Sequence, residues 1–97
     1  MELNLNNKTA LITGASKGIG KAIAESMAKE GCNLILTARS SDKLNELKID
    51  LQKKYNISVE VIAKDLAKKN AVEEVSAFCG NIDILINNAG AIPPGSI

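Results

Sequence analysis

The sequence predicts an α/β fold, half of a doubly wound parallel sheet built as strand, helix, strand, helix, strand, helix, strand. Three observations carry that prediction. Four short, β-prone apolar runs alternate with three stretches of helical periodicity. The segments joining successive runs are too long for hairpins and have the length of parallel crossovers. The glycine-rich and polar residues fall just past the carboxyl ends of the runs, the edge at which open α/β sheets bind ligands. Residues 1–97 read as part of a single domain, with no repeat, low-complexity tract or internal boundary.

The first strand is the run 8–13, stopped by Gly14. The first helix is expected over 18–30, with Ile19, Ile23 and Met27 recurring every four residues and small alanines beside them for close packing on a sheet. Gly31 ends it. A second strand spans 33–37, and Ser40, Ser41 and Asp42 offer capping oxygens to a second helix running to about Tyr55, with Leu44, Leu47, Leu51 and Tyr55 as its apolar stripe. The third strand is 58–63, with Asp65 just beyond it. A third helix should start near Asn70, where Asn70 and Glu73 form a capping box and Val72, Val75 and Phe78 form the inner face. Gly80 stops it, residues 83–86 make a fourth strand, and residues 91–97 follow as coil. In this span the fourth strand is an edge showing Ile84, Leu85 and Ile86 to water, so the span made alone is expected to aggregate or to need a partner surface.

Composition excludes several function classes. A net charge of +1 gives no electrostatic case for nucleic acid or an anionic membrane, and with Tyr55 and Phe78 as the only aromatics there is no base-stacking platform. No apolar run approaches the length that crosses a bilayer, and the first residues lack the blocks of a secretion signal, which favours the cytoplasm. Histidine is absent, and Cys32 and Cys79 are a distant pair, so zinc sites and His-dependent nucleophiles have no support within these residues. Both cysteines read as small buried or half-buried apolar residues.

The run Thr13, Gly14, Ala15, Ser16, Lys17, Gly18, Ile19, Gly20 has the make-up of a phosphate-binding turn, in which each glycine has its own task. Gly14 supplies the turn. Gly18 lets the backbone approach a pyrophosphate, and Gly20 lets the helix lie close to its strand. The helix mouth suits an anion. The spacing is Gly-x-x-x-Gly-x-Gly, which differs from the commonest dinucleotide fingerprint, and Ala22 follows Lys21 where a Walker motif needs a hydroxyl, which disfavours a nucleotide hydrolase. On the glycines alone, an ordinary strand-to-helix turn is about as good an account.

At the end of the second strand an acid would bind the ribose hydroxyls of NAD, but the residues are Ala38 and Arg39. Singly, Arg39 and Lys17 read as solvated surface charges. Together with Ser16 and the missing acid they point to NADP(H) over NAD(H), since they can surround a 2′-phosphate with donors. Asp65 and the N–H of Leu66 can meet the adenine edge, although a helix cap or loop acid explains Asp65 nearly as well. Asn87 and Asn88 fix loops near the ribose or simply form a turn, and Ala89 and Gly90 leave room for a ligand close to the backbone.

These motifs resemble those of the short-chain dehydrogenase/reductase family: the Thr-Gly-x-x-x-Gly-x-Gly run 13–20, an adenine-binding acid at Asp65, and Asn-Asn-Ala-Gly at 87–90. The resemblance covers 8–90. It implies a Rossmann-type sheet of strand order 3-2-1-4 in this portion, a nicotinamide dinucleotide held by the loop from Gly14 through Ser16, Lys17, Gly18 and Ile19 to Gly20 together with Arg39, Asp65, Leu66, Asn87, Ala89 and Gly90, and hydride transfer to or from a carbonyl or alcohol. Ala38, Arg39 and Lys17 resemble the NADP-preferring classical branch. Members continue with a catalytic Asn, a Ser and a Tyr-x-x-x-Lys motif, and these are not found here, since Tyr55 is followed by Asn56, Ile57, Ser58 and Val59 and reads as a packing residue. The 97 residues are therefore expected to be the cofactor-binding part of a longer, homo-oligomeric enzyme with no catalytic residue of their own. The alternative is a non-catalytic NADP(H)-binding or interaction module.

Overall fold

The computed structural model describes residues 5–89, so Gly90 and the coil expected over 91–97 lie outside the described residues. The chain forms β1 (Thr9–Thr13), α1 (Gly18–Lys29), β2 (Asn33–Ala38), α2 (Ser41–Lys54), β3 (Val59–Ala63), α3 (Ala71–Cys79) and β4 (Ile84–Ile86), in the expected sequence. The strands make one sheet of order β3-β2-β1-β4 in which every pairing is parallel.

Side-chain alternation along the central strands divides the interior in two. Ala10 and Ile12 of β1 and Leu34 and Leu36 of β2 enter one core with Ala24 and Ala28 of α1 and Leu44, Leu47 and Leu51 of α2. Leu11 and Ile35, between them in sequence, turn to the opposite face and meet Val75 of α3. Near-continuous apolar strands are what a sheet covered on both faces requires. Tyr55 packs against the first core from the end of α2, and Cys32 is buried in it while Cys79 is half-buried against the second. Burial raises both thiol pKa values above the ordinary range.

Main-chain groups at the strand ends are closed by local partners. The Asp83 carboxylate accepts the Thr9 N–H at 2.9 Å while the Thr9 carbonyl accepts the Asp83 N–H at 2.8 Å, which fixes the start of β4 against β1. Gln52 Oε1 accepts the Val59 N–H at 3.0 Å, and Asn33 Oδ1 accepts the Ser58 N–H at 2.9 Å. The α2 cap is as expected, with Ser40 Oγ accepting the Lys43 N–H.

Three expectations are corrected. Ile19 is 72% exposed, because α1 turns Gly20, Ala24 and Ala28 to the sheet and leaves Ile23 and Met27 at the margin. Close approach of a helix to a sheet favours the smallest side chains over the most apolar ones. The capping box at Asn70 does not form: Asn70 is left-handed, with φ 68°, and its side chain caps nothing, whereas a capping side chain needs an extended backbone to reach the first-turn N–H groups. Phe78 is 45% exposed, and Ala71 and Val75 hold the buried positions of α3.

Candidate cofactor site

The site is built on the carboxyl edge of the sheet. β1 ends at Thr13, which is fully buried, and its hydroxyl joins the two glycine-bearing loops. Thr13 Oγ1 accepts the Ala89 N–H at 2.9 Å and lies 3.3 Å from Asn87 Oδ1, to which it donates. Asn88 Nδ2 donates to the Gly14 carbonyl at 3.3 Å. On the other side, the Ala15 N–H reaches the Thr37 carbonyl at 3.2 Å, tying the loop to β2. The turn after β1 is therefore fixed from both neighbouring strands.

Two glycine positions account for the spacing. A Cβ on Gly20 would lie 2.1 Å from the Gly14 carbonyl oxygen and 2.8 Å from Asn88 Nδ2, so α1 seats only if this residue has no side chain. Gly18 differs: its φ is +61°, and nothing lies within 4 Å of where its Cβ would be. The first glycine-to-helix contact is thus packing, and the second leaves free volume at the mouth of α1. No side chain caps that mouth, and no acid stands in the first turn.

Beside it lies a cavity of about 400 Å³ whose wall contains Gly14, Ser16, Lys17, Thr37, Ala38, Arg39, Ser40, Lys43, Lys64, Asp65, Leu66, Ala67 and Ala89. A second recess, of about 490 Å³, opens between α1 and α2 and is lined by Ser16, Lys17, Gly18, Lys21, Lys43, Glu46, Leu47 and Asp50. Of the residues singled out in the sequence, Gly14, Ser16, Lys17, Arg39, Asp65, Leu66 and Ala89 come together in the first cavity. Gly18 lies in the second, Gly20 lies beneath the loop, Asn87 is held by Thr13, and Ile19 lines neither recess. Gly90 falls outside the described residues.

Charge in the first cavity is unbalanced. Of its four cations only Lys64 has an acidic partner, Glu74; among the described residues the other ion pair is Lys54 with Asp50. Lys17, Arg39 and Lys43 face the cavity without one. The single acid, Asp65, uses Oδ1 to accept the Ala67 N–H at 3.0 Å, a loop-acid arrangement, and lines the cavity. Thr37 Oγ1 is buried with no hydrogen-bond partner, an arrangement that costs free energy until something supplies one. Sequence reading missed Thr37, Ser40, Lys43 and Lys64. For Thr37 the available signal was a hydroxyl directly after the apolar run 34–36, and for Lys43 a cation four residues after Arg39.

Free space at an uncapped helix mouth, glycines that a Cβ would obstruct, and surplus positive charge together fit a phosphate-rich dinucleotide. Among the described residues no cluster of His, Cys, Asp or Glu is placed to hold a metal ion, and no helix is long and apolar enough to cross a membrane.

The strand order and the glycine turn after β1 define a Rossmann-type domain. Residues 8–97 match the family described as short chain dehydrogenase, and the chain belongs to that family. It is 46% identical to a very-long-chain 3-oxoacyl-CoA reductase of Vanderwaltozyma polyspora, over 88% of this chain and 26% of that protein. It is 43% identical to a 12alpha-hydroxysteroid dehydrogenase of a Clostridium species, over 93% of this chain and 39% of the relative. Among solved structures, L-sorbose reductase from Gluconobacter frateurii, complexed with NADPH and L-sorbose, superimposes with a TM-score of 0.80 at 44% identity, over 93% of this chain and 36% of that one. A short-chain dehydrogenase from Sphingobium yanoikuyae in complex with NADPH gives 0.79 at 38% identity, over 84% and 33%. The chain thus spans between a quarter and two fifths of the length of these relatives.

Proposed function

We propose that this chain is the dinucleotide-binding part of an NADP(H)-dependent oxidoreductase that moves hydride to or from a carbonyl or alcohol substrate. One observation carries the cofactor choice: Lys17 and Arg39 stand on one cavity wall without acidic partners among the described residues, and β2 ends at Ala38 where NAD binding wants a carboxylate. A carboxylate there would repel a 2′-phosphate; two cations and the Ser16 hydroxyl attract it. The NADPH found in two similar solved structures supports the same choice.

Within the site, the Gly18 end of α1 holds the pyrophosphate with its free N–H groups. Asp65 Oδ2 and the Leu66 N–H take the adenine edge. Asn87 and Ala89, bonded to Thr13, hold the loop after β4 beside the glycine turn, and Gly20 keeps α1 seated. The nicotinamide, when bound, supplies the hydride chemistry. Groups that handle the substrate proton belong to the remainder of a longer, homo-oligomeric protein, and its substrates belong to the carbonyl and alcohol class named for the relatives.

The test is nucleotide titration of the full-length protein. NADPH should bind tighter than NADH, and Arg39→Ala should weaken NADPH about tenfold, the effect of one lost charge-assisted contact. Equal affinities for the two nucleotides would defeat the NADP(H) assignment, and no uptake of either would defeat the whole reading. The rival reading, a non-catalytic NADP(H)-binding module, is motivated by the lack of a Tyr-x-x-x-Lys motif in these 97 residues. Nucleotide oxidation by the full-length protein on presentation of a ketone would overturn it.

A further inference from the structure

We infer that Lys43 is a third specificity-determining cation of this site, holding the phosphate monoester on the adenosine ribose together with Lys17 and Arg39. The inference rests on the NADP(H) reading above. Its basis is position: the cavity beside Arg39 and the recess beside Gly18 share only Ser16, Lys17 and Lys43 in their walls, so Lys43 stands at the junction of the two spaces. An anion reaching from one into the other passes it.

The backbone beneath Lys43 is fixed. Leu44 is fully buried and Leu47 nearly so, which seats the first turn of α2 on the sheet, and Ser40 Oγ accepts the Lys43 N–H at 3.4 Å. Ser40 uses its oxygen as the cap, so its hydroxyl hydrogen is free to donate to the same anion. Among the described residues the Lys43 ammonium has no acidic partner: Asp50, in the same recess, pairs with Lys54, and Lys64, across the first cavity, pairs with Glu74. Glu46 and Asp50 follow Lys43 along α2 and place negative charge in the same recess, so an incoming dianion is favoured at the Ser16, Lys17 and Lys43 junction over the part those acids line. A phosphate monoester carries close to two negative charges at neutral pH and accepts through three oxygens, which suits several separate donors better than one.

The experiment compares Lys43→Met, which keeps an apolar stem, with Lys43→Arg and with Lys21→Met as a charge control that lines only the second recess. Each full-length variant is titrated with NADPH and NADH, and with 2′,5′-ADP and 5′-ADP to isolate the monoester from the rest of the nucleotide. Lys43→Met should weaken NADPH and 2′,5′-ADP about fivefold, a discounted value for an exposed contact, and leave NADH and 5′-ADP within about twofold. Lys43→Arg should restore most of the loss, and Lys21→Met should leave the NADPH-to-NADH ratio unchanged. If Arg39→Ala collapses that ratio and Lys43→Met does not, this inference fails while the NADP(H) reading stands; if the wild-type protein shows no preference, the reading fails first. Equal loss of NADPH and NADH affinity in Lys43→Met would mark a structural effect and overturn the role given to Lys43.

Discussion

The two faces of the sheet are filled very differently. On the face covered by α1 and α2, alanines and leucines close completely over β1 and β2, and the glycine turn rises directly from that closed region. On the face covered by α3, the enclosed cluster is small, Leu11 and Ile35 of the sheet with Val75 of α3, and Phe78 of α3 is 45% exposed and Leu85 of β4 39% exposed. The difference shows where rigidity is needed. Ala15 of the glycine turn is buried in the well-packed half, whereas Leu66 in the loop after β3 packs against the thin one, and β4, one of the two edge strands, sets Ile84 and Ile86 against the first core.

The contrast can be broken by unequal responses to similar changes. Leu36→Ala, in the closed core, should cost about 3 kcal/mol, whereas Phe78→Ala should cost about 1 kcal/mol or less, both read from denaturant midpoints of the full-length protein. Comparable losses would mean that the α3 face is as well consolidated as the other. Gly20→Ala should fall between these two, at about 2 kcal/mol, because its methyl meets a main-chain oxygen and α1 must back away from the turn. Its nucleotide affinity should fall with its stability. A variant that melts normally would separate the seat of the helix from the packing beneath it.

The smallest effect expected is a pH dependence. Burial raises the thiol pKa of Cys32, so the folded protein holds that proton more tightly than the unfolded chain does. Stability is then whole below the thiol's unfolded value, about pH 8.5, and declines as pH rises above it toward the folded value. Cys32→Ala should flatten that alkaline decline. An unchanged slope in urea melts between neutral and alkaline pH would assign it to other groups.

Much of this was legible before any coordinates. Strand runs bounded by glycine and polar residues located all seven elements to within a residue or two, because short apolar segments separated by crossover-length stretches admit few arrangements. The glycine turn was legible as a tight passage from strand to helix, since three glycines within residues 14–20 directly after an apolar run mark one. What escaped depended on contact geometry. Ile19 has the correct period and the wrong phase by one residue, since α1 is seated through Gly20, Ala24 and Ala28. Asn70 has cap chemistry but a left-handed backbone, and Phe78 is apolar but stands where little covers it. Lys43 belongs to the site only because α2 starts immediately beyond Arg39, a fact of three-dimensional placement that its own neighbours in sequence do not announce.

The Thr13 hydroxyl, bonded to residues 74 and 76 positions away, makes the two glycine-bearing turns a single mechanical part. A side chain of three heavy atoms keeps the beginning and the end of this stretch in step. Swapping either turn for one from another protein would leave the other out of adjustment unless the hydroxyl and its two partners travelled with it.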